Sequence, residues 1–282
     1  MNKVFSDEFA LDPTSFAALA DLAYRESGLQ LVEEKKAMIQ SRLRHRVKAV
    51  GSESFSAYAD FVCSAQGSAE RTHMISALTT NVSHFFREKH HFESLTSCVL
   101  HQRLEEFRTG TRLRIWSAGC ANGQEPLSIV ISVLEAFPEL ADCDFKVLAT
   151  DIDPQVVSFA RTAEYPLRLL NGVSDILLDK YFVPVETSEG DGFKASDTLM
   201  SRIVFRELNL LSDWPMTGLM DAIFCRNVVI YFDQETQDRL WPKFRRHLHQ
   251  KSSLFLGHSE RIGDPEAVGF VADGPTTYRP VT

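Results

Sequence analysis

From residue 113 onward, short apolar runs alternate with helical stretches, and this alternation restricts the fold more than any other feature. Leu113–Ser117 ends in Ala118-Gly119 and gives way to a helical pattern through Leu127, Ile131 and Leu134. Phe145–Ala149 leads to Asp151, and Asp153-Pro154 opens the next helix, because proline's fixed φ suits a first helical position. Ala222–Cys225 and Leu254–Leu256 are the third and fourth runs. Strand, helix, strand at this spacing predicts an α/β domain, a parallel sheet with helices on both faces. One stretch breaks the rhythm. Tyr181–Val185, Gly192–Ala195 and Arg202–Leu208 are strand-like around the polar loop Glu186–Asp191, which predicts a small antiparallel β insertion at about 181–206.

No strand pattern precedes residue 110. Phe16, Leu19, Ala20, Ala23 and Tyr24 share one helical face behind a Thr14 cap, with Gly28 as the stop. Val32, Ile39, Leu43, Val47 and Val50 form a second stripe that ends at Gly51, and Phe55, Tyr58, Ala59 and Val62 a third. Phe92, Leu95, Val99, Leu100, Leu104 and Phe107 predict a long helix. The expected division is an α-helical domain over 1–78 and the α/β domain over 79–282.

A chain of 282 residues with 44% apolar content can build two such cores. Its charge, 30 − 38 = −8, argues against holding nucleic acid by broad phosphate neutralisation. Cys63, Cys98, Cys120, Cys143 and Cys225 include no CxxC pair, so reduced thiols are expected and a zinc site is not. His90-His91 and His247 with His249 do not share a helical face, and no metal is expected. Without a signal-peptide pattern or about 18 consecutive apolar residues, the expected location is the cytoplasm, with no membrane insertion.

The segment Arg114-Ile115-Trp116-Ser117-Ala118-Gly119-Cys120-Ala121-Asn122-Gly123-Gln124-Glu125-Pro126 carries the most chemistry. A strand, a loop of small residues and a helix start let a ligand approach the backbone at the carboxyl end of the first strand. The spacing is not GxGxxG, so no dinucleotide pyrophosphate cradle is implied. Asp151, at the end of the next strand, can accept from two ribose hydroxyls. The plain alternatives are a generic tight turn and a helix cap, although Asp153 is as well placed to cap. Loop and carboxylate together point to a nucleoside ligand without pyrophosphate, which S-adenosylmethionine satisfies.

Several segments then come in a telling order. They are Thr80-Asn81-Val82-Ser83-His84-Phe85-Phe86-Arg87-Glu88, Trp116–Pro126, Ala149-Thr150-Asp151-Ile152-Asp153, Leu208-Asn209-Leu210-Leu211, Ile223–Asp233 with Phe224-Cys225-Arg226-Asn227-Val228, and Gly257-His258-Ser259-Glu260. Over nearly its whole length the chain resembles the CheR-type chemotaxis receptor methyltransferases. It departs from their usual pattern at Ser83, where threonine is common, and in the small residues of the 117–124 loop. The resemblance implies a Rossmann-like S-adenosylmethionine-dependent methyltransferase domain behind an α-helical receptor-docking domain. It implies transfer of a methyl group to glutamate side chains of chemoreceptors, leaving S-adenosylhomocysteine. The cofactor residues carried over are Asn81, Ser83, Arg87, Glu125, Asp151, Asn209, Leu210, Arg226 and Asn227. Glu125 would accept from the cofactor's ammonium and Arg87 would hold its carboxylate, while Asn209 and Leu210, where a strand leaves the insertion, would meet the adenine edge.

A glutamate is already ionised at neutral pH, so no general base is expected and the task is alignment in a sheltered site. Tyr231 is the candidate donor to the acceptor carboxylate, against the alternative of a core tyrosine. Lys35, Lys36, Arg42, Arg44, Arg46 and Lys48 lie within 14 residues that hold no acid. A solvated helix face is the ordinary reading of such a run. The family reading makes Lys35, Arg42, Arg44 and Arg46 a docking surface for the cytoplasmic helical region of chemoreceptors, and the β insertion a possible grip on a receptor's C-terminal peptide. A monomer is expected. Two other functions compete. A nucleic-acid base methyltransferase is opposed by the absence of an Asp/Asn-Pro-Pro-Tyr/Phe segment and by the charge. A non-catalytic cofactor-binding regulator docking on signalling arrays is opposed by retention of Arg87, Glu125, Asp151 and Arg226–Tyr231.

Overall fold

The structure, a computed structural model, describes residues 10–281. The chain divides into two compact units, residues up to 80 together with Tyr231–Asp233, and residues 81–230 together with the chain from Gln234 onward.

In the first unit, helices run over Pro13–Ser27, Lys36–Ala49, Phe55–Cys63 and Ser68–Leu78. The first begins two residues earlier than the Thr14 cap predicts. Asp12 is the cap, its carboxylate accepting from the Ser15 N–H at 2.9 Å, and Pro13 opens the helix. Gly28 ends it at φ 73°, the left-handed conformation that glycine adopts without steric cost. Ile39, Leu43 and Val47 are buried as the stripe predicts, as are Phe55, Tyr58, Ala59 and Val62. Hydrogen bonds tie Tyr231–Asp233 to this unit. The Gln30 N–H donates to the Tyr231 carbonyl at 3.0 Å, and the Tyr24 hydroxyl donates to Asp233 at 2.7 Å.

Among its described residues the second unit contains ten strands. They are β1 (Leu113–Ala118), β2 (Phe145–Asp151), β3 (Glu164–Pro166), β4 (Phe182–Thr187), β5 (Gly190–Ala195), β6 (Ile203–Glu207), β7 (Met220–Cys225), β8 (Leu248–Leu256), β9 (Phe270–Gly274) and β10 (Thr277–Pro280). Seven form one sheet in the order β6-β2-β1-β7-β8-β10-β9. The pairs from β6 to β8 are parallel, and the β9–β10 hairpin adds antiparallel pairings at one edge. Every residue of β7 is buried, as expected of a strand covered on both faces. Helices Gln124–Ala136 and Pro154–Thr162 follow β1 and β2. The stretch predicted as one long helix is helical from His90 to Arg108 but opens into a π turn over Leu95–Leu100.

The small antiparallel sheet exists, with a different membership. Its order is β3-β5-β4, so Glu164–Pro166 supplies its third strand. Arg202–Leu208 instead contributes β6, parallel to β2 with Val147 opposite Ile203 and Asp151 opposite Glu207. As an edge strand, β6 alternates between buried Ile203 and Phe205 and more open neighbours. That alternation is also the sequence signature of an antiparallel strand with one wet face, hence the misplacement.

Candidate active site

The sheet order turns outward in both directions from β1, and the loops after β1, β2, β6 and β7 leave from the carboxyl ends where open α/β sheets bind ligands. The β1 loop is tied to β2. The N–H groups of Gly119 and Cys120 donate to the Thr150 carbonyl at 2.8 and 2.9 Å, and the Ala121 N–H donates to Asp151 Oδ2 at 2.9 Å. On its other side, the Tyr165 hydroxyl donates to the Asn122 carbonyl at 2.7 Å. Gly123, at φ 88°, is required here, because a Cβ would lie 2.8 Å from the Tyr165 hydroxyl and 3.0 Å from Ala160 Cβ.

The helix cap is Asp153 and not Asp151. Asp153 caps the helix, accepting from the Gln155 N–H at 2.9 Å, and also accepts from the Asn81 amide at 2.8 Å. Asp151 is buried and accepts one backbone N–H on each oxygen, from Asp153 at 3.1 Å and Ala121 at 2.9 Å. Burial pushes its pKa up against those donors. Each oxygen keeps a lone pair, which suits the paired hydroxyls of a ribose.

At the start of the Gln124–Ala136 helix, Glu125 accepts from the Ser117 hydroxyl at 2.7 Å and from Arg226 Nη1 at 3.1 Å. Arg226 also faces Glu88, with Nη2 3.3 Å from Oε2, and donates to the Arg87 carbonyl. Its side chain is 2% exposed, so two carboxylates enclose a buried guanidinium. Burial raises the Glu125 pKa against the pull of Arg226. For Glu88, burial is outweighed by Arg226, the His258 N–H and His91 acting together, and the pKa falls. Arg87 stays partly open, 30% exposed, its Nη1 donating to the Val82 carbonyl at 3.2 Å. Ser83 is half-buried in the same segment.

Asn209 and Leu210 do not leave the small sheet. They follow β6, and the Leu208 N–H donates to the Asp151 carbonyl at 2.9 Å, which brings this turn to the Asp151 end of the sheet. The Asn209 side chain accepts from the Leu211 N–H at 2.9 Å, and the Leu210 carbonyl accepts from Trp214 Nε1 at 3.1 Å and Lys243 Nζ at 2.8 Å. Asn227 takes φ 57° just after β7. Of the predicted residues, Tyr231 alone among the cofactor and catalytic set falls in the helical unit. Glu88 and Glu260 end two of the segments that carry the pattern, Thr80–Glu88 and Gly257–Glu260, yet no spacing in the sequence assigns either a role.

Although the 14 residues of the basic run hold no acid, two of its arginines are engaged elsewhere in the helical unit. Arg46 donates to both oxygens of Glu70 at 2.8 and 2.5 Å, and the Tyr58 hydroxyl donates to the same carboxylate at 3.0 Å. Arg42 donates to the carbonyls of Leu78 and Thr79 at 2.6 and 3.1 Å and to the Thr80 hydroxyl at 2.9 Å, covering the end of the Ser68–Leu78 helix. Glu70 is 24 residues beyond Arg46, outside any local charge count. Lys35, Arg44 and Lys48 are exposed.

Among the described residues, no group of His, Cys, Asp and Glu could hold a metal ion, and no helix is long and apolar enough to cross a membrane. A doubly wound sheet with a carboxylate closing β2 and a short small-residue loop after β1, without a dinucleotide fingerprint, fits the S-adenosylmethionine-dependent methyltransferase class. Known proteins place the chain within it. Residues 81–273 match "CheR methyltransferase, SAM binding domain" and residues 14–79 match "CheR methyltransferase, all-alpha domain". The chain is 43% identical over 261 residues to a probable chemotaxis protein methyltransferase of Rhizobium etli, covering 93% of this chain and 97% of that one. It is 36% identical to the chemotaxis protein methyltransferase of Salmonella typhimurium (92% and 88% covered) and 34% to that of Escherichia coli (97% and 93%). The chain belongs to the CheR methyltransferase family, and it is an S-adenosylmethionine-dependent methyltransferase.

Proposed function

We propose that the protein esterifies glutamate side chains of chemoreceptors and so adapts chemotaxis signalling, working in the cytoplasm. The observation that carries this reading is the convergence of Asp151, the Glu125–Arg226–Glu88 cluster and the Asn209–Leu210 turn at the carboxyl ends of one sheet, in a chain of this family. The donor set fits the cofactor. Asp151 has free lone pairs for the ribose, buried Glu125 supplies negative charge for an ammonium, and Arg87 is open enough to receive a carboxylate. Asn81, Ser83, Asn209, Leu210, Arg226 and Asn227 complete the proposed binding set. When bound, the cofactor supplies a methyl group activated by a sulfonium.

The protein's own residues then have a positioning task. The acceptor glutamate arrives ionised, so no side chain need remove a proton. Moving a carboxylate out of water is costly unless a donor meets it, and Tyr231 is assigned that donor role. The helical unit is assigned to receptor docking through Lys35 and Arg44, with Arg42 and Arg46 shaping the helix that presents them. Incubation with labelled S-adenosylmethionine and chemoreceptor-containing membranes tests the reading. Base-labile label on receptor glutamates is the expected outcome, and binding of S-adenosylhomocysteine without any transfer would favour a non-catalytic regulator.

A further inference from the structure

Glu260 is a buried carboxylate, 2% exposed, that the chemistry above does not use. It lies just beyond β8, whose Leu256 pairs with Cys225 at the end of β7, so the loops after these two strands leave the sheet side by side. Its Oε1 accepts from the backbone N–H groups of Val228 at 2.8 Å and Ile230 at 3.2 Å. Its Oε2 accepts from those of Asn227 at 2.8 Å and Gly257 at 2.6 Å. Three of the four donors thus belong to the turn that directly follows Arg226. Asn227 is left-handed there, a conformation uncommon outside glycine that asparagine tolerates better than other residues with side chains. The approach is close, since a Cβ on Gly257 would lie 2.8 Å from the Asn227 nitrogen and 2.5 Å from its side-chain amide.

We infer that Glu260 is a positioning residue whose carboxylate fixes the backbone of residues 227–230, and through it the aim of Arg226 and Asn227 at the cofactor. The inference rests on the assignment of Arg226 and Asn227 to cofactor binding. A carboxylate suits the task because both of its oxygens accept, whereas an amide of the same shape would turn one acceptor into a donor facing two N–H groups.

Calorimetric titration of the full chain with S-adenosylhomocysteine tests it, with Glu260→Gln, Gly257→Ala and Asn227→Ala compared against the wild type. A positioning role predicts that Glu260→Gln weakens binding about tenfold or more while the number of sites per chain stays near one, and that KM for S-adenosylmethionine rises in step. A role confined to stability predicts fewer competent sites with Kd and KM unchanged, and that result overturns the inference. If Glu260→Gln does not fold, Gly257→Ala carries the test, because its Cβ pushes Asn227 from the same place. A raised Kd supports the inference and an unchanged one overturns it. Asn227→Ala separates the two assignments. Weakened binding there with Glu260→Gln unaffected removes Glu260 alone, and the reverse pattern removes Asn227 from the cofactor set while positioning through Arg226 stands.

Discussion

Two aspartates two residues apart differ in what their carboxylates meet. Asp153 caps a helix and holds the Asn81 amide, whereas Asp151 accepts backbone N–H groups of the β1 and β2 loops and is the residue assigned to the ribose. Asp151→Asn keeps the shape and removes the charge. A charged hydrogen bond contributes about 1.5–3 kcal/mol, so S-adenosylhomocysteine should bind roughly tenfold to a hundredfold more weakly by calorimetry. Tyr231→Phe should slow the methyl-transfer step in single-turnover kinetics and leave that affinity within about threefold, because its assigned partner is the acceptor. An unchanged single-turnover rate would clear Tyr231 of the donor role. Arg226 was legible as a motif residue, but its enclosure by Glu88 and Glu125 was not, since those acids stand 138 and 101 residues away.

At the scale of the element, the helix Lys36–Ala49 divides its cations between structure and surface. Arg46 neutralises Glu70, which is buried beside Tyr58, so Arg46→Ala should destabilise the protein by about 1.5–3 kcal/mol, measured by denaturant unfolding. Lys35, Arg44 and Lys48 face solvent, and their simultaneous change to Glu should leave stability and S-adenosylhomocysteine affinity nearly unchanged. Receptor methylation by this variant should fall strongly, and its salt dependence should flatten, because surface charges act within a screening length of about 10 Å at 0.1 M salt. Wild-type methylation across a salt series would leave the face merely solvated. The apolar stripe of this helix was readable from spacing alone. Which basic residues were free was decided by a different helix.

Across the whole molecule, buried ionisable groups set the response to acid. His91 is fully buried between Glu88 and Thr276, and burial, reinforced by Arg226, pushes its pKa down to about 4. An unfolded histidine titrates near 6.5, so between the two values the unfolded chain binds the extra proton and the folded one does not. The stability from neutral His91 is therefore complete above about pH 6.5 and lost as pH falls through 4. Glu125, Asp151 and Glu260, with raised values, act in the opposite sense over the acid range. Replacing His91 by Gln isolates its part. Wild type should lose on the order of 2–3 kcal/mol more than the variant between pH 7 and pH 4 in urea unfolding. Equal losses would show that His91 is accommodated in its charged form.

Local physics determined the first three helices, those that follow β1 and β2, the central strands and the residues at the ends of β1, β2 and β7, because periodicity, proline and glycine act over a few positions. The α/β class followed from their alternation, and the candidate cofactor residues from motifs lying within single turns. The tertiary structure decided what depends on distant partners. It gave Arg202–Leu208 to the main sheet, because an edge strand and an antiparallel strand with one wet face share the same alternation. It formed the β9–β10 hairpin from short segments with weak patterns of their own. It also tied Arg46 to Glu70, enclosed Arg226 between two acids, and brought Glu260 under the turn after β7, since hydrogen-bond partners are chosen by the packing of whole elements.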